Sequence, residues 1–501
     1  MIYFTYICIK YPLNPLKLKK MKKILLLPAL LIAIIVSAQN NSGFNVHEWG
    51  TFTTLQSSNG MRLAGLQKDE ETLPSFVNNI AHSYYYNGFL FGPKGFMENT
   101  WFEHVTVKME TPVLYFYSDA QRNVSVNVNF KNGSISQWYP ERVDGESTQY
   151  QSHLDFSQPK TGWIKWNATV LPPNSNANFS DSSNLETPQW VRPRATASNL
   201  VQGSNGEIEK FLFYRGIANF DVPVKVEFNT TGKLVITNTG SDKISYAVVY
   251  EKTNGQQANI WWSGAMDGGD YKIICKPVSA TSASDLNIEM TRFEDALVNA
   301  GLFDDEAKAL LCTWQESYFQ HSGLKVFWIA PRSFTDSILP IAITPVPQDL
   351  QRVIVGRSEV LTVQMEQELK QGTDSAFWTA WGTDRFSEAY WESRNENINS
   401  WTNVDGSCAT EVSDITNTGL NSIQIFPNPS SNEINIQSTF NEATNLNIHI
   451  FNSMGIEVTG FTETANGNYN KIISLGEYAA GIYTVKIQTD KNITCIKVIK
   501  E

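Results

Sequence analysis

Val124-Ser125-Val126-Asn127-Val128-Asn129 alternates apolar and polar residues one by one. Successive side chains of a strand point to opposite sides of a sheet, so this stretch reads as a strand with one buried face. Asn132-Gly133 follows it, a pair that tolerates the positive φ of a tight hairpin turn. The same texture recurs on either side. Val105 to Val107 and Val113 to Tyr117 read as two strands on either side of Glu110-Thr111-Pro112. Further strands are expected at Phe211 to Tyr214, Val222 to Phe228, Leu234 to Thr237 and Ser245 to Tyr250. Asn205-Gly206, Thr231-Gly232 and Asn254-Gly255 supply turns between them. Short strands at this spacing predict a β-sandwich or barrel.

Helices interrupt the pattern. One is expected from Asp285 to Asn299. A second starts at Asp304-Asp305, acids that suit the positive end of a helix dipole. Ala307, Leu310, Leu311, Trp314 and Tyr318 then recur at helical spacing. Strands return at Lys325 to Ile329, Ile338 to Ile343 and Arg352 to Val355, and a third helix is expected from Thr362 to Lys370. The fold class is therefore mainly β: an α+β body, sandwich-like toward its N-terminus, with a few helices near residues 285–320.

Of 501 residues, 42% are apolar and 18% charged, enough to fill real cores. Six lysines precede residue 38 and no acid does. The 39 basic residues of the chain thus fall to 33 against 50 acidic ones, a balance of −17 without the leader. Such an acidic surface argues against nucleic acid, whose binding needs Lys and Arg to displace counterions. Five cysteines, none spaced as Cys-x-x-Cys, argue against a zinc knuckle. One disulfide among Cys275, Cys312 and Cys408 fits an oxidising compartment, and buried thiols fit equally.

Both ends look like addresses. Met21-Lys22-Lys23 opens a positive segment, Ile24 to Val36 is apolar, and Val36-Ser37-Ala38 ends in a small residue. That order is a signal peptide, with Met21 the better initiator and cleavage expected between Ala38 and Gln39. The apolar run falls short of the roughly 20 residues that span a bilayer, and no later stretch replaces it. A polar linker, 414–421, precedes a second set of alternating strands. Ile423 and Ile425 are stopped by Pro427-Asn428-Pro429. Ile434 and Ile436, then Leu446, Ile448 and Ile450, then Tyr483, Val485 and Ile487, then Ile496 and Val498 follow. Proline removes a ladder donor and fixes φ, so the pair forces a turn. The pattern describes a small Ig-like β-sandwich over 422–501.

Phe426-Pro427-Asn428-Pro429, Ile450-Phe451-Asn452-Ser453-Met454-Gly455, Leu475 with Ala480-Gly481-Ile482-Tyr483, and Lys497-Val498-Ile499 together resemble the type IX (Por) secretion C-terminal sorting domain, type A, of Bacteroidetes. The resemblance implies Sec export to the periplasm and passage through the outer membrane by type IX. It also implies removal of the domain by a sortase-like peptidase, with the body anchored at the cell surface or released. The body, 39–413, opens with His47-Glu48-Trp49-Gly50-Thr51-Phe52-Thr53 and carries Met109-Glu110-Thr111-Pro112-Val113, Lys210 to Gly216 and Arg352 to Arg357. It is similar to uncharacterised exported proteins of Bacteroidetes and Planctomycetes, a likeness that implies one integrated body and names no reaction or cofactor.

The chemistry must come from scattered residues. There is no His-Glu-x-x-His, Gly-x-Ser-x-Gly, P-loop or dinucleotide-binding glycine motif. His47-Glu48 and Glu103-His104 are the notable pairs. Two imidazoles and a carboxylate can hold a divalent metal or act as acid and base. Neighbours on a strand point opposite ways, so each pair offers at most one residue to a given site. Against this, His47 fits a hydrogen-bond network under Trp49 and Phe52. Glu110 sits among apolar residues and needs a partner, for which Arg215 and Arg357 are candidates. Arg192 and Arg194 suit an anionic ligand or a solvated loop. Trp261-Trp262, Trp378 and Trp381 are candidate platforms for sugars, since an indole offers a flat apolar face. Two readings follow. In one, a surface or secreted protein acts by binding or structure, with glycans as partners. In the other, a secreted hydrolase or metal-dependent enzyme gathers His47, Glu48, Glu103, His104 and Glu110 in one cleft.

Overall fold

The computed structural model describes residues 43–501 except 72, 82–92, 97–99, 148–151, 178, 180–187, 254, 372–385, 387–388, 391–397, 399, 410–422, 453–456, 490–492 and 501. The chain divides into two compact units, Met1–Ala409 and Thr410–Glu501.

The first unit is organised by Phe44–Gln56, thirteen residues of which all but Asn45 are buried. A strand buried on both faces shows no alternation, and here the two faces serve two cores. Phe44–Gln56 runs parallel to Asp349–Val360 on one side and antiparallel to Val107–Ser118 on the other. These three lie in a nine-stranded sheet. Its order is Asn259–Met266, Ile244–Lys252, Gly323–Ile329, Asp349–Val360, Phe44–Gln56, Val107–Ser118, Leu212–Ala218, Gly133–Tyr139, Asn78–Asn79. On one face Val46, Phe52, Leu114 and Phe116 share a core with Val124, Val126, Val128, Ile164 and Trp166 of a six-stranded sheet. That packing is the expected sandwich. On the other face Trp49, Tyr115, Phe327, Val353 and Val355 meet Phe293, Leu297 and Leu310 from the helices Ala283–Asn299 and Asp304–Thr313. Each fully buried apolar side chain contributes roughly 1.5–3 kcal/mol by leaving water.

Three expected elements take a different form. Val107–Ser118 is one strand, not two flanking Pro112. Thr111 adopts a φ of 51°, and the pairing with Phe44–Gln56 slips between Trp49 and Thr51. The bulge leaves the proline without a ladder partner to disappoint. Gly50 is required opposite it, because a Cβ there would lie 2.8 Å from the Pro112 Cα. The helix begun at Asp304 ends at Thr313, and Gln315–Gln320 continues as a π-helical turn. Ile338 to Ile343 splits into the helix Arg332–Ile338 and the strand Ile341–Thr344. Pro340 explains the break, since a proline disfavours helical backbone in the residue before it. The third helix runs Val363–Gln371.

Cys275 and Cys408 form a disulfide with a Cα–Cα distance of 5.6 Å. It fastens the last described segment of this unit to its body. Asn229 Nδ2 donates to the Val404 carbonyl at 2.9 Å, and the Ala409 N–H donates to the Ile273 carbonyl at 2.6 Å.

The second unit is a five-stranded sheet built on one long hairpin, Glu433–Asn452 with Glu457–Ser474. Register slips between Phe440 and Thr444. Ile434 and Ile436 from before the slip share one core with Leu446, Ile448 and Ile450 from after it, together with Tyr483, Val485, Ile487 and Val498. Among the described residues, no helix is long and apolar enough to cross a membrane.

Candidate functional site

Adjacent residues of Phe44–Gln56 face opposite ways, and the fold keeps His47 and Glu48 apart. His47 Nδ1 lies 2.8 Å from Glu306 Oε2. The Tyr117 hydroxyl donates to Glu306 Oε1 at 2.7 Å, and the Phe303 N–H donates to Oε2 at 2.8 Å. The imidazole packs between the Phe303 and Tyr117 rings, with centroids 4.4 and 5.2 Å away. His47 thus belongs to the start of the helix Asp304–Thr313. On the opposite face Glu48 accepts from the Tyr214 hydroxyl at 2.6 Å and from Arg352 Nε at 2.5 Å. Arg352 Nη1 reaches Asp336 at 2.7 Å. Burial, with the Glu48 charge beside it, pushes the Tyr214 phenol well above its ordinary range. Arg352 also lines a cavity of ≈ 370 Å³ with Lys243 and Arg332. Its cations are matched by Glu48, Asp267 and Asp336.

Glu110 stands in the most heavily charged part of the interior. Lys94 Nζ lies 2.6 Å from its Oε1, and Arg215 Nη1 lies 3.6 Å from Oε2. Arg215 Nη2 also donates to Asp69 at 2.8 Å and its Nε to Gln137 at 2.5 Å. Arg357, the other candidate partner, goes instead to Glu70 and, at 3.5 Å, to Glu359. Lys108 pairs with Glu70 as well. The Arg357 guanidinium lies 4.1 Å from the Tyr318 ring centroid, and the Tyr318 hydroxyl donates to Thr51 at 2.5 Å. Slips in the ladder at Trp49/Thr51, Phe213/Gly216 and Arg215/Gly216 all fall here, as does the π-helical turn.

Burial draws the Lys108 ammonium down to about 8, although Glu70 and Glu110 pull it back. It draws Lys94 down too, against Glu110 and with Arg215 adding to the fall. Burial lifts Glu71 to about 7 despite a hydrogen bond from Ser317. Burial also lifts Asp69, but the Arg215 and Lys94 cations outweigh it and hold that carboxyl below its usual range. Lys94, Lys108, Arg215 and Arg357 thus face Asp69, Glu70, Glu71, Glu110 and Glu359, a nearly balanced set. Perturbed pKa values mark active sites and ionic networks alike. Mutual neutralisation among groups that are nearly all buried is the behaviour of a network.

Glu103 and His104 sit elsewhere, at an exposed edge. Trp101–Glu103 pairs in parallel with His153–Asp155, placing Trp101 opposite His153 and Glu103 opposite Asp155. Leu154 is buried and Phe102 half-buried, so the residues that flank them, Trp101, Glu103, His153 and Asp155, face the other way. Trp101 is 66% exposed, and its indole N–H donates to Glu103 Oε1 at 3.2 Å. Glu103 Oε2 lies 3.5 Å from His153 Nε2. His104 Nδ1 lies 2.7 Å from Asp155 Oδ1. Asp155 also accepts from the Ser157 N–H and hydroxyl, each at 2.8 Å. Those two bonds, with His104 beside them, hold its carboxyl down at about 2. Ligand atoms of Glu103, His104 and Asp155 all lie within 4.8 Å of one another. His153 and Asp155 were not singled out in the sequence; two three-residue strands pairing in parallel leave no periodic trace.

The remaining candidates are placed as follows. Trp262 is fully buried, and Trp261 is 8% exposed with its N–H on Glu251, so neither offers a free face. Arg194 is buried and forks onto Glu209, its Nη2 at 2.7 Å, rather than meeting solvent. Trp378, Trp381, Ala38 and Gln39 lie outside the described residues.

The Secretion system C-terminal sorting domain family matches residues 424–501. No curated protein sequence matches the chain. Among solved structures, the yeast delta-COP-I mu-homology domain is similar at 8% identity and a TM-score of 0.24, over 65% of this chain and 100% of that one. Dimeric latent PorU from Porphyromonas gingivalis is similar at 7% identity and a TM-score of 0.14, over 80% of this chain and 32% of that one. Neither score reaches the level of a shared fold. The sorting-domain match coincides with the strands of the second unit, and it identifies the chain as a type IX secretion sorting-domain protein, exported to the cell surface or medium.

Proposed function

We propose that this protein is a binding protein of the bacterial exterior that holds glycans at the Trp101 edge. Its producing cell belongs to the Bacteroidetes. A signal peptide cut between Ala38 and Gln39 starts the route, and a sortase-like peptidase removes the domain beyond the 414–421 linker. The body, 39–413, then works outside.

The binding reading rests on the exposure of Trp101, 66% of the residue, beside Glu103, His153 and Asp155. An indole offers a sugar ring an apolar, electron-rich face, and neighbouring carboxylates accept its hydroxyls. Trp101 is the most exposed large apolar side chain that has such neighbours among the described residues. The alternative is an enzyme, a hydrolase or metal-dependent catalyst drawing on His47, Glu48, Glu103 and His104. It has less support, because these groups lie in three separate places, two of them closed.

The test is glycan-array binding of the secreted protein, followed by titration of the best ligand. Trp101→Ala should weaken binding at least tenfold while leaving secretion unchanged. Equal binding by the variant rejects the Trp101 site. Deleting 424–501 should strand the protein in the periplasm of a type IX-competent host.

A further inference from the structure

We propose that Glu103, His104 and Asp155, with His153 beside Glu103, form a binding site for one divalent transition-metal cation, of the zinc class. The inference stands on these side chains and does not require the glycan reading.

The alternation rule lets Glu103-His104 offer one residue to any site, and the backbone overrides it. The strand stops at Glu103, and His104 takes a φ of 58°, in the left-handed region that non-glycine residues seldom enter. In that conformation the imidazole lies against Asp155, the ladder partner of Glu103. Backbone held in a sparsely populated conformation is commonest where side chains must be aimed. Here the ring is held at the Asp155 carboxylate, with a ligand atom of Glu103 within 4.8 Å.

The surrounding donors fix the ligands in the manner of metal sites. Trp101 Nε1–H occupies Oε1 of Glu103, leaving Oε2 toward His153 at 3.5 Å. Ser157 donates twice to Asp155 and anchors its carboxylate from behind. The parallel register sets Glu103 and Asp155 side by side, and ligand atoms of Glu103, His104 and Asp155 fall within 4.8 Å of one another. Without a cation, His104 Nδ1–H donates to Asp155 at 2.7 Å; a bound cation would displace that proton and take the Nδ1 lone pair. Two imidazoles with two carboxylates suit zinc and its first-row neighbours. Calcium and magnesium prefer sites built from oxygen alone.

The full secreted chain, purified without a histidine tag and stripped with chelator, is titrated with zinc, manganese and magnesium chlorides by calorimetry. Saturable binding of one zinc per chain is expected, with magnesium failing to compete. X-ray absorption of the zinc-loaded protein should show nitrogen and oxygen ligands and no sulfur. His104→Ala and Asp155→Asn should each weaken zinc about tenfold to a hundredfold. All four residues are at least partly exposed, so the variants should keep the wild-type melting profile. Absence of saturable binding overturns the proposal. So does unchanged affinity in a folded His104→Ala, Asp155→Asn double variant, or a sulfur-containing ligand shell in the wild type.

Discussion

The chain contains two His–Glu neighbours, and they have opposite fates. His47 and Glu48 lie in mid-strand at the centre of a sheet covered on both sides. Each is buried and fixed by its own partners, Glu306 for one and Arg352 with Tyr214 for the other. Glu103 and His104 lie at a strand end on the surface, where one left-handed residue brings both to the same side. Side-chain alternation is therefore a property of the strand, and it lapses where the strand stops. What the two pairs can do follows from that. The inner pair is committed to structure, while the outer pair remains open to a ligand.

The largest effect that separates them should come from the inner pair. Glu48→Ala leaves Arg352 buried with one carboxylate lost, and breaking such a pair costs about 3–5 kcal/mol. Urea denaturation of the body should show it as a shifted midpoint. A loss below about 1 kcal/mol would mean that the carboxylate is not holding the sheet, and the contrast between the pairs would fail. The Cys275–Cys408 bond comes next. It closes a loop with a sequence separation of 133, and removing a bridge of this kind costs about 2–5 kcal/mol. The double serine variant should also become sensitive to proteolysis near residues 402–409, the segment the bridge fastens. Resistance there would assign the fastening to the Asn229 and Ile273 contacts instead.

The charged interior around Glu110 makes a prediction in pH. Glu71 has a folded pKa raised from 4.5 to about 7, so its favourable protonated burial is complete below 4.5 and lost as pH climbs through 7. Lys108 has a folded pKa lowered from 10.5 to about 8, so its contribution is present above 10.5 and lost as pH falls through 8. Stability should therefore decline from pH 4.5 toward 7, then recover above 8, with a trough between. Melting temperature against pH measures it. Glu71→Gln should flatten the acid limb and Lys108→Met the alkaline one. A profile indifferent to both substitutions would remove these groups from the balance.

Much of this was readable from the residues, and what was not has physical causes. Val124 to Val128 announced its strand because one face is buried and the other polar. Phe44–Gln56 gave no such pattern, since both of its faces are covered. Glu110 was recognisably in need of a cation, and Arg215 is one of its partners. Lys94, in the 3-10 turn Pro93–Gly95, and Asp69, Glu70 and Glu71, in a loop, leave no signal, because charge there carries no period and solvation is the ordinary expectation. Pro112 looked like the end of a strand, and only the bulge opposite Gly50 lets the strand run through it. The sorting domain was the most legible part, because its turns and strands recur in a fixed order. The outer site was half legible: Glu103 and His104 were visible as a pair, but His153 and Asp155 reach them through a ladder of three residues.

The smallest stability effect should come from the outer pair, and its smallness is the point. His104 is held by Asp155, and Asp155 by Ser157, at an exposed edge where solvent screens the pair and leaves it little stabilising effect. His104→Ala removes that pair but also relieves nothing of the left-handed backbone, since alanine is no freer there than histidine. His104→Gly separates the two terms. Glycine adopts a positive φ without penalty, so the Gly variant should be at least as stable as the Ala variant, by up to about 1 kcal/mol. If the histidine were retained for stability, both variants would unfold markedly earlier than the parent. If it is retained for its ring, both should melt near the parent temperature and lose only what the ring binds. The Ala and Gly variants, compared by melting and by ligand titration, therefore decide whether the strained turn at His104 serves the fold or the site.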